Sequence, residues 1–292
     1  MAKIDFDAAP MLPVALIDLV ETKTPEANRA FVTLVTQLSE EVGGHVVLAN
    51  EVIVPMIVSD ERASKSDHAT RLLVVTQYPR TQACQIALAK RKEWEPDLFT
   101  ESTRTYAVRP AGRIESRVGR TLPYTLGLWG RTPVPAIDDA KKLESLIEAA
   151  LVLGEQPDKA RWTELAEHAG SRPIWMLNFL EFAKTAVYAD GTQGGATAAP
   201  ISGARAYQRY GSGMISSLAA VGGRVGWSGR ILGQLAGSDD GRWHQVAIAV
   251  YPSVAAMLTM LALPKYRAAH VHRAAALART RLIATQGRGV LE

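Results

Sequence analysis

A single cysteine, Cys84, leaves no partner for a disulfide within this 292-residue chain and points to a reducing compartment. Excess charge of one sign is also scarce. The 33 Lys and Arg against 29 Asp and Glu leave a net +4, too small and too dispersed for a nucleic-acid surface. The most readable chemical signatures are missing. There is no glycine-rich phosphate loop, HExxH, CxxC or nucleophile elbow, and GTQGG at 191–195 lacks the Lys-Ser/Thr that a phosphate loop needs. No helix offers paired metal ligands. His270 and His272 fall about 160° apart on a helix that turns ~100° per residue, so no metal site is expected. Long apolar runs are rare too. The charge-free stretch from Val246 to Leu263 nears membrane-spanning length, but Tyr251-Pro252-Ser253 interrupts it. VAIAV before the break reads as a buried strand. Val254, Met257, Leu258 and Leu261 after it have helical spacing. The opening MAKIDFDAAP carries two aspartates where a secretory signal would be apolar. The expectation is a cytoplasmic protein with neither nucleic acid nor membrane as partner.

What is present is a series of elements that recurs. Val14–Val20 reads as an apolar strand. Thr24-Pro25 then opens a helix whose stripe is Phe31, Leu34, Val35 and Leu38, closed by Gly43-Gly44. Val46–Val58 is extended, with Pro55 implying an edge or a bulge. A polar turn (59–70), a strand from Arg71 ending at Tyr78-Pro79, a helix through Ala83, Ile86, Ala87 and Lys90, and a strand over Thr103–Val108 complete the first half. From Pro173 the order returns: IWMLNFLEF, a small-residue loop (189–200), a Ser202-capped helix ending at Gly222-Gly223, a strand over Arg224–Leu235 and the turn GSDDGR. A strand ending at Tyr251-Pro252, two helices and a strand over Arg281–Thr285 follow. Pro13 set against Pro173 pairs Asp18 with Asn178. Tyr78 set against Tyr251 brings Trp94 near Tyr266, and Thr103-Arg104 falls in step with Thr280-Arg281. Several matches in one order argue for a duplication. Between the halves, 121–135 is rich in Pro and Gly, and helices are expected over Asp138–Leu153 and Pro157–Ala169.

Each half reads βαββαβ, the ferredoxin-like plan. The strands are apolar on both faces: Ile174, Met176, Leu180 and Phe182 alternate with Trp175, Leu177 and Phe179. Such a sheet must be covered twice, by helices on one side and by another sheet on the other. The fold class expected is α+β. Two tandem ferredoxin-like repeats pack sheet to sheet as an intramolecular barrel, a pseudo-dimer within the chain. The expected domains are a first, diverged repeat over 11–115, a helical linker over 116–172 and a second repeat over 173–292. Outer helices leave room for a homodimer.

MLNFLEF, SGARAYQRYGS, Gly222-Gly223-Arg224-Val225, Tyr251-Pro252-Ser253 and PKYRAAHVHRAAALARTRLIAT resemble the domain-of-unknown-function 1330 family, of the dimeric α/β-barrel superfamily. The resemblance covers roughly 173–287 and is faint over 11–115. There, KRKEWEPDLF replaces ALPKYRAAHVHR and any site is altered or lost. The resemblance implies a barrel with a cavity. The superfamily includes cofactor-free monooxygenases, lactone isomerases, haem enzymes and non-catalytic binders, so fold alone does not name a reaction.

The chemistry gathers on the last helix. Tyr266, His270, Arg273 and Leu277 fall at i, i+4, i+7 and i+11, on one face. An imidazole can move protons near neutral pH, a phenol can donate to a developing oxyanion, and a guanidinium can hold a carboxylate. The structural alternative has Tyr266 and Arg273 pinning the helix to strand carbonyls while His270 sits at the surface. Asn178 interrupts an apolar strand, and a buried amide needs partners; Asp18, its counterpart, costs more to bury and must be paired or near solvent. Tyr207 and Tyr210 continue a core stripe with Met214 and Leu218. Their hydroxyls, with Trp227 and Tyr251, are candidates for lining a cavity. His45, His68 and His244 are expected to be solvated, and His168 to close a linker helix. Two readings follow. One is a cofactor-independent enzyme for a small apolar or carboxylate-bearing molecule, with catalytic residues His270, Arg273, Tyr266 and Asn178. The other is a non-catalytic binder or scaffold. A polar-tipped pocket of ~300 Å³ or more would favour the first. A haem protein using His270 as ligand is a third, lesser reading.

Overall fold

The computed structural model describes residues 11–22, 24–57, 70–94, 103–112, 130–136, 139–154, 157–189, 200–237 and 241–287. The loop expected over 189–200 and the turns expected at 59–70 and 237–242 lie largely outside these residues. So do His68, most of the Pro/Gly-rich 121–135 segment and the second half of KRKEWEPDLF.

The first half contains β1 (Val14–Val20), α1 (Pro25–Glu41), β2 (His45–Ile57), β3 (Leu72–Tyr78), α2 (Thr81–Arg91) and β4 (Arg104–Pro110). Next come α3 (Ala140–Leu151) and α4 (Lys159–Ala169). The second half contains β5 (Ile174–Phe182), α5 (Gly203–Ala220), β6 (Arg224–Ala236), β7 (Gln245–Tyr251), α6 (Val254–Ala262), α7 (Pro264–Ala276) and β8 (Leu277–Gln286). The helix starts are set by local chemistry. Thr24 Oγ1 accepts from the Ala27 amide at 3.2 Å, Ser202 Oγ from Arg205 at 3.3 Å and Ser253 Oγ from Ala256 at 3.2 Å. Gly43 (φ 76°) and Gly222 (φ 78°) follow α1 and α5 in the left-handed conformation.

The eight strands close into one antiparallel barrel in the order β1-β3-β2-β8-β5-β7-β6-β4. Counted within each half, both sets run fourth, first, third, second. The registers match as well. Val14 lies opposite Tyr78, and Ile174 opposite Tyr251. Asp18 lies opposite Val74 and Thr105; Asn178 lies opposite Ala247 and Leu282. At the two seams Ile57 faces Leu282, and Ala236 faces Thr105. The expected packing of sheet on sheet is thus realised by joining edges: β2 zips to β8 and β4 to β6, which leaves no strand edge in the barrel unpaired. Pro55 sits at this seam opposite Ile283, where the register shifts, as its missing amide requires.

Alternation along each strand sorts the core. Ala15, Ile17, Leu19, Trp175, Leu177, Phe179 and Ile283 point into the barrel, and eight strands enclose just enough room for side chains to fill. Two fully buried arginines, Arg104 and Arg281, sit among them. Arg281 donates to Tyr106 Oη at 3.3 Å and lies 5.0 Å from the Trp243 ring. The outer faces pack under helices: α1 and α2 over the first half, α5, α6 and α7 over the second. The helices between the halves are docked. Ile147, Ala150, Trp162 and Leu165 pack with Val54 and Met56 of β2 and with α6. Two boundaries differ from expectation. Leu277 belongs to β8, not to the face of α7, and β8 begins there rather than at Arg281; α7 runs into the strand without a turn because the cross-strand pairing of Leu277 with Phe182 captures the backbone. No helix among the described residues is long and apolar enough to cross a membrane.

Candidate active site

Between the outer face of β5 and β7 and the helices α5, α6 and α7 lies a cavity of about 70 Å³. Asn178, Tyr207, Tyr210, Tyr251, Tyr266 and Arg273 all line it, with Met176, Met257 and Met260 among the apolar walls. Six of the eight candidates named from the sequence therefore meet at one place. Each arrives by a readable route. Asn178 is on the even-numbered, helix-facing side of β5, with Ile174 and Met176. Tyr251 ends β7 opposite Ile174. Tyr207 and Tyr210 share a face of α5, and Tyr266 and Arg273 share a face of α7. The two helices approach closely because α5 has glycine at 213, where a Cβ would stand 2.6 Å from that of Ala269.

The phenols form a chain of rings. Tyr207 lies 5.2 Å from Tyr210, Tyr210 lies 6.1 Å from Tyr266, and Tyr266 lies 5.8 Å from His270. Tyr210 Oη donates to Tyr266 Oη at 3.4 Å, and Tyr251 Oη to Met260 Sδ at 3.8 Å. Burial pushes the Tyr207 phenol up to about 12 and raises those of Tyr210 and Tyr251 further; nearby Arg273 pulls each back only in part. All three are protonated donors at neutral pH. Arg273 is 5% exposed and donates to Thr280 Oγ1 at 3.3 Å. The Asn178 amide donates to the Met176 carbonyl at 3.0 Å.

Two candidates stand apart. His270 is buried but does not line the cavity; it sits behind Tyr266, and its Nε2 has no hydrogen-bond partner among the described residues. Desolvation, then repulsion from Arg273, holds its pKa down at about 4, so the ring is neutral at neutral pH. Trp227 points into the barrel, packed with Trp175, Trp243 and Ile248. The register shift between Val225 and Trp227 puts Val225 on the cavity side and turns the indole to the opposite face. His272 faces elsewhere, with Nδ1 2.9 Å from Tyr188 Oη. No group of three or more metal-ligating side chains occurs among the described residues. A haem on His270 does not fit: the adjacent cavity has no room for a macrocycle, and the imidazole does not open onto it. Wider hollows of about 510 and 750 Å³ lie elsewhere and contain none of the eight candidates.

The sequence reading missed one pairing. In the first half, Asp18 and Arg91 form a buried ion pair, with Arg91 Nη1 3.0 and 2.9 Å from the two carboxylate oxygens. Thr105 Oγ1 donates to Asp18 Oδ1 at 2.7 Å. The cost of burying Asp18 pointed to a partner, but nothing in the spacing singled out Arg91.

No family model matches the chain, and no curated protein matches it. Over 44% of its length the chain is 36% identical to a Rhodopseudomonas palustris protein of unknown function, covering 92% of that protein with a TM-score of 0.39. At that identity the chain belongs, over the matched part, to the same family as that protein. A candidate monooxygenase from Lactobacillus acidophilus NCFM aligns over 94% of this chain and 93% of its own, at 10% identity and a TM-score of 0.42. A chlorite dismutase variant from Candidatus Nitrospira defluvii aligns over 96% and 93%, at 10% identity and a TM-score of 0.39. Likenesses of this order carry no argument about chemistry.

Proposed function

We propose that the chain is a cofactor-independent enzyme of the dimeric α/β-barrel type, built by duplication of a ferredoxin-like repeat. The repeats span 11–115 and 173–292, joined by 116–172, and the second-half cavity acts on a small molecule. Matched strand order and register in the two halves support the duplication. The observation that carries the functional reading is the convergence of Asn178, four phenols and Arg273 on one part-open cavity. A neutral imidazole is a competent proton acceptor, although a pKa of about 4 makes it a weak one. In this reading His270 moves a proton from the carbon beside a carbonyl to a neighbouring atom, a step that requires its ring to turn past Tyr266 to reach the cavity, and Arg273 anchors the anion. Asn178 and the phenols hold the oxygen that gains negative charge.

The test is wash-in of deuterium from D₂O into a panel of small α-keto acids, followed by proton NMR. Exchange that His270→Gln and Tyr266→Phe reduce by about a hundred-fold or more is expected of a general acid–base pair. Wild-type exchange rates in both variants would remove the assignment. A second reading, a non-catalytic binder or scaffold, is favoured by the cavity's size, about 70 Å³ against the ~300 Å³ or more expected of an enzyme pocket, which points to the scaffold before the binder. Binding without exchange would select the binder.

A further inference from the structure

We propose that the outer face of the β4–β6 seam is a binding site for a small organic phosphate monoester. The site is separate from the cavity under α5, α6 and α7 and does not depend on the reading given to that cavity. In the ring order the two seams between the halves lie opposite each other. One of them, β2–β8, is covered: Ile147 and Ala150 of α3 and Trp162 of α4 pack with Val54 and Met56. The other carries a hollow of about 750 Å³, within the range of small-molecule sites. Its charges are of one sign. Arg109 of β4 and Arg230 of β6 are register partners across the seam, so their side chains leave the same face of the sheet, about 4.5–5.5 Å apart at Cβ. Val108, beside Arg109, points into the barrel, which puts both arginines outside it. Like charges set directly opposite each other destabilise a strand pair. Among the described residues, nothing offsets them. Neither guanidinium has a hydrogen-bond or ion-pair partner there, Arg109 Nε is buried without one, and no described Asp or Glu lines the hollow.

The neighbours of the two arginines are donors. The Phe182 amide donates to His244 Nδ1 at 2.9 Å, so Nδ1 is the acceptor and Nε2–H of the neutral ring remains as a donor. Ser228 and Gln245 add a hydroxyl and an amide, with Gln245 in register beside Arg230. The rings of Phe182 and His244 stack nearly parallel, 5.7 Å between centroids, and give an organic group a surface next to the charges. Two fixed cations with neutral donors suit an anion of charge near −2, which a phosphate monoester approaches at neutral pH and a single carboxylate does not. The planar fork of each arginine meets phosphate oxygens in pairs. A dianion bridging both guanidiniums turns their mutual repulsion into two attractions.

The experiment uses the 292-residue chain in phosphate-free buffer at constant ionic strength. Glycerol 3-phosphate, AMP and inorganic phosphate are titrated against it by calorimetry, with succinate as a dianion that lacks phosphorus. Saturable binding of at least one of the two esters at one site per chain is expected, at least about ten-fold tighter than succinate. Arg109→Gln and Arg230→Gln should each weaken it at least about ten-fold, the scale of one charged hydrogen bond. Thermal unfolding adds a readout that a purely structural role would move the other way. Without ester, both variants should unfold at or above the wild-type temperature, because each removes a like-charge contact. With ester at a concentration that saturates the wild type, the order should reverse. Should Arg109→Gln not fold, Arg230→Gln, at an exposed position, carries both measurements. Four results overturn the proposal: no ester binding to the wild type; inorganic phosphate or succinate bound as tightly as the better ester; unchanged ester affinity in Arg230→Gln; or Arg230→Gln less stable than the wild type without ester.

Discussion

Under the helices of the first half, a carboxylate and a guanidinium meet with almost no exposure; at the same register in the second half, an amide and four phenols surround a hollow. The backbone frame is shared, so the difference lies in side chains. One charge, carried on Asp18 and absent from Asn178, accompanies the change from a packed ion pair to a part-open hollow. A buried ion pair is weak evidence of net stability, yet it is costly to break from one side. An amide bonded to its own strand costs little to change. The halves therefore differ in how much stability hangs on the equivalent residue.

The largest expected effect follows from that asymmetry. Asp18→Ala should lower the unfolding free energy by about 3–5 kcal/mol, because Arg91 is left buried with its charge, whereas Asn178→Ala should cost about 1 kcal/mol. Urea unfolding of the two variants measures both, and equal losses would break the comparison. The next effect concerns His270, which has no counterpart in the ion pair. Its folded pKa of about 4 lies below the ordinary 6.5, so the unfolded chain binds the proton first as pH falls. The associated stability is complete above pH 6.5 and is lost as pH falls towards 4, by up to roughly 3 kcal/mol. His270→Gln should flatten unfolding free energy against pH in that window; an unchanged slope would assign the loss to other groups. The smallest effect tests the helix lid over the hollow. Gly213→Ala forces a methyl against Ala269 and should destabilise by about 1–3 kcal/mol. Gly211→Ala, with nothing within 4 Å, should stabilise by up to about 1 kcal/mol. Thermal unfolding distinguishes them, and like signs would mean that the α5–α7 contact is looser than its geometry.

Much of this was legible in the chain. Helix starts at Thr24 and Ser202 follow from side-chain oxygens placed before the first turn, whereas the cap at Ser253 was read only as part of a break. The match of Asp18 with Asn178, made by setting Pro13 against Pro173, is the register the barrel displays. Other features were not legible, for physical reasons. The strands are apolar on both sides, so alternation told the two faces apart but not which was inside. At Trp227 a register shift reversed the alternation itself. Arg91 lies 73 residues from Asp18, on a helix whose basic residues look alike in sequence. The direct passage of α7 into β8 has no glycine or proline to announce it, since the break is imposed by pairing with β5.

The ring closes inside a single covalent chain, through seams at β2–β8 and β4–β6. Two identical subunits building the same ring would carry every substitution twice. Filling one hollow would fill both, and an anchoring pair gained on one side would be gained on the other. Continuity of the polypeptide removes that coupling. Each side can change alone, and here one carries a buried ion pair while the other lines a cavity.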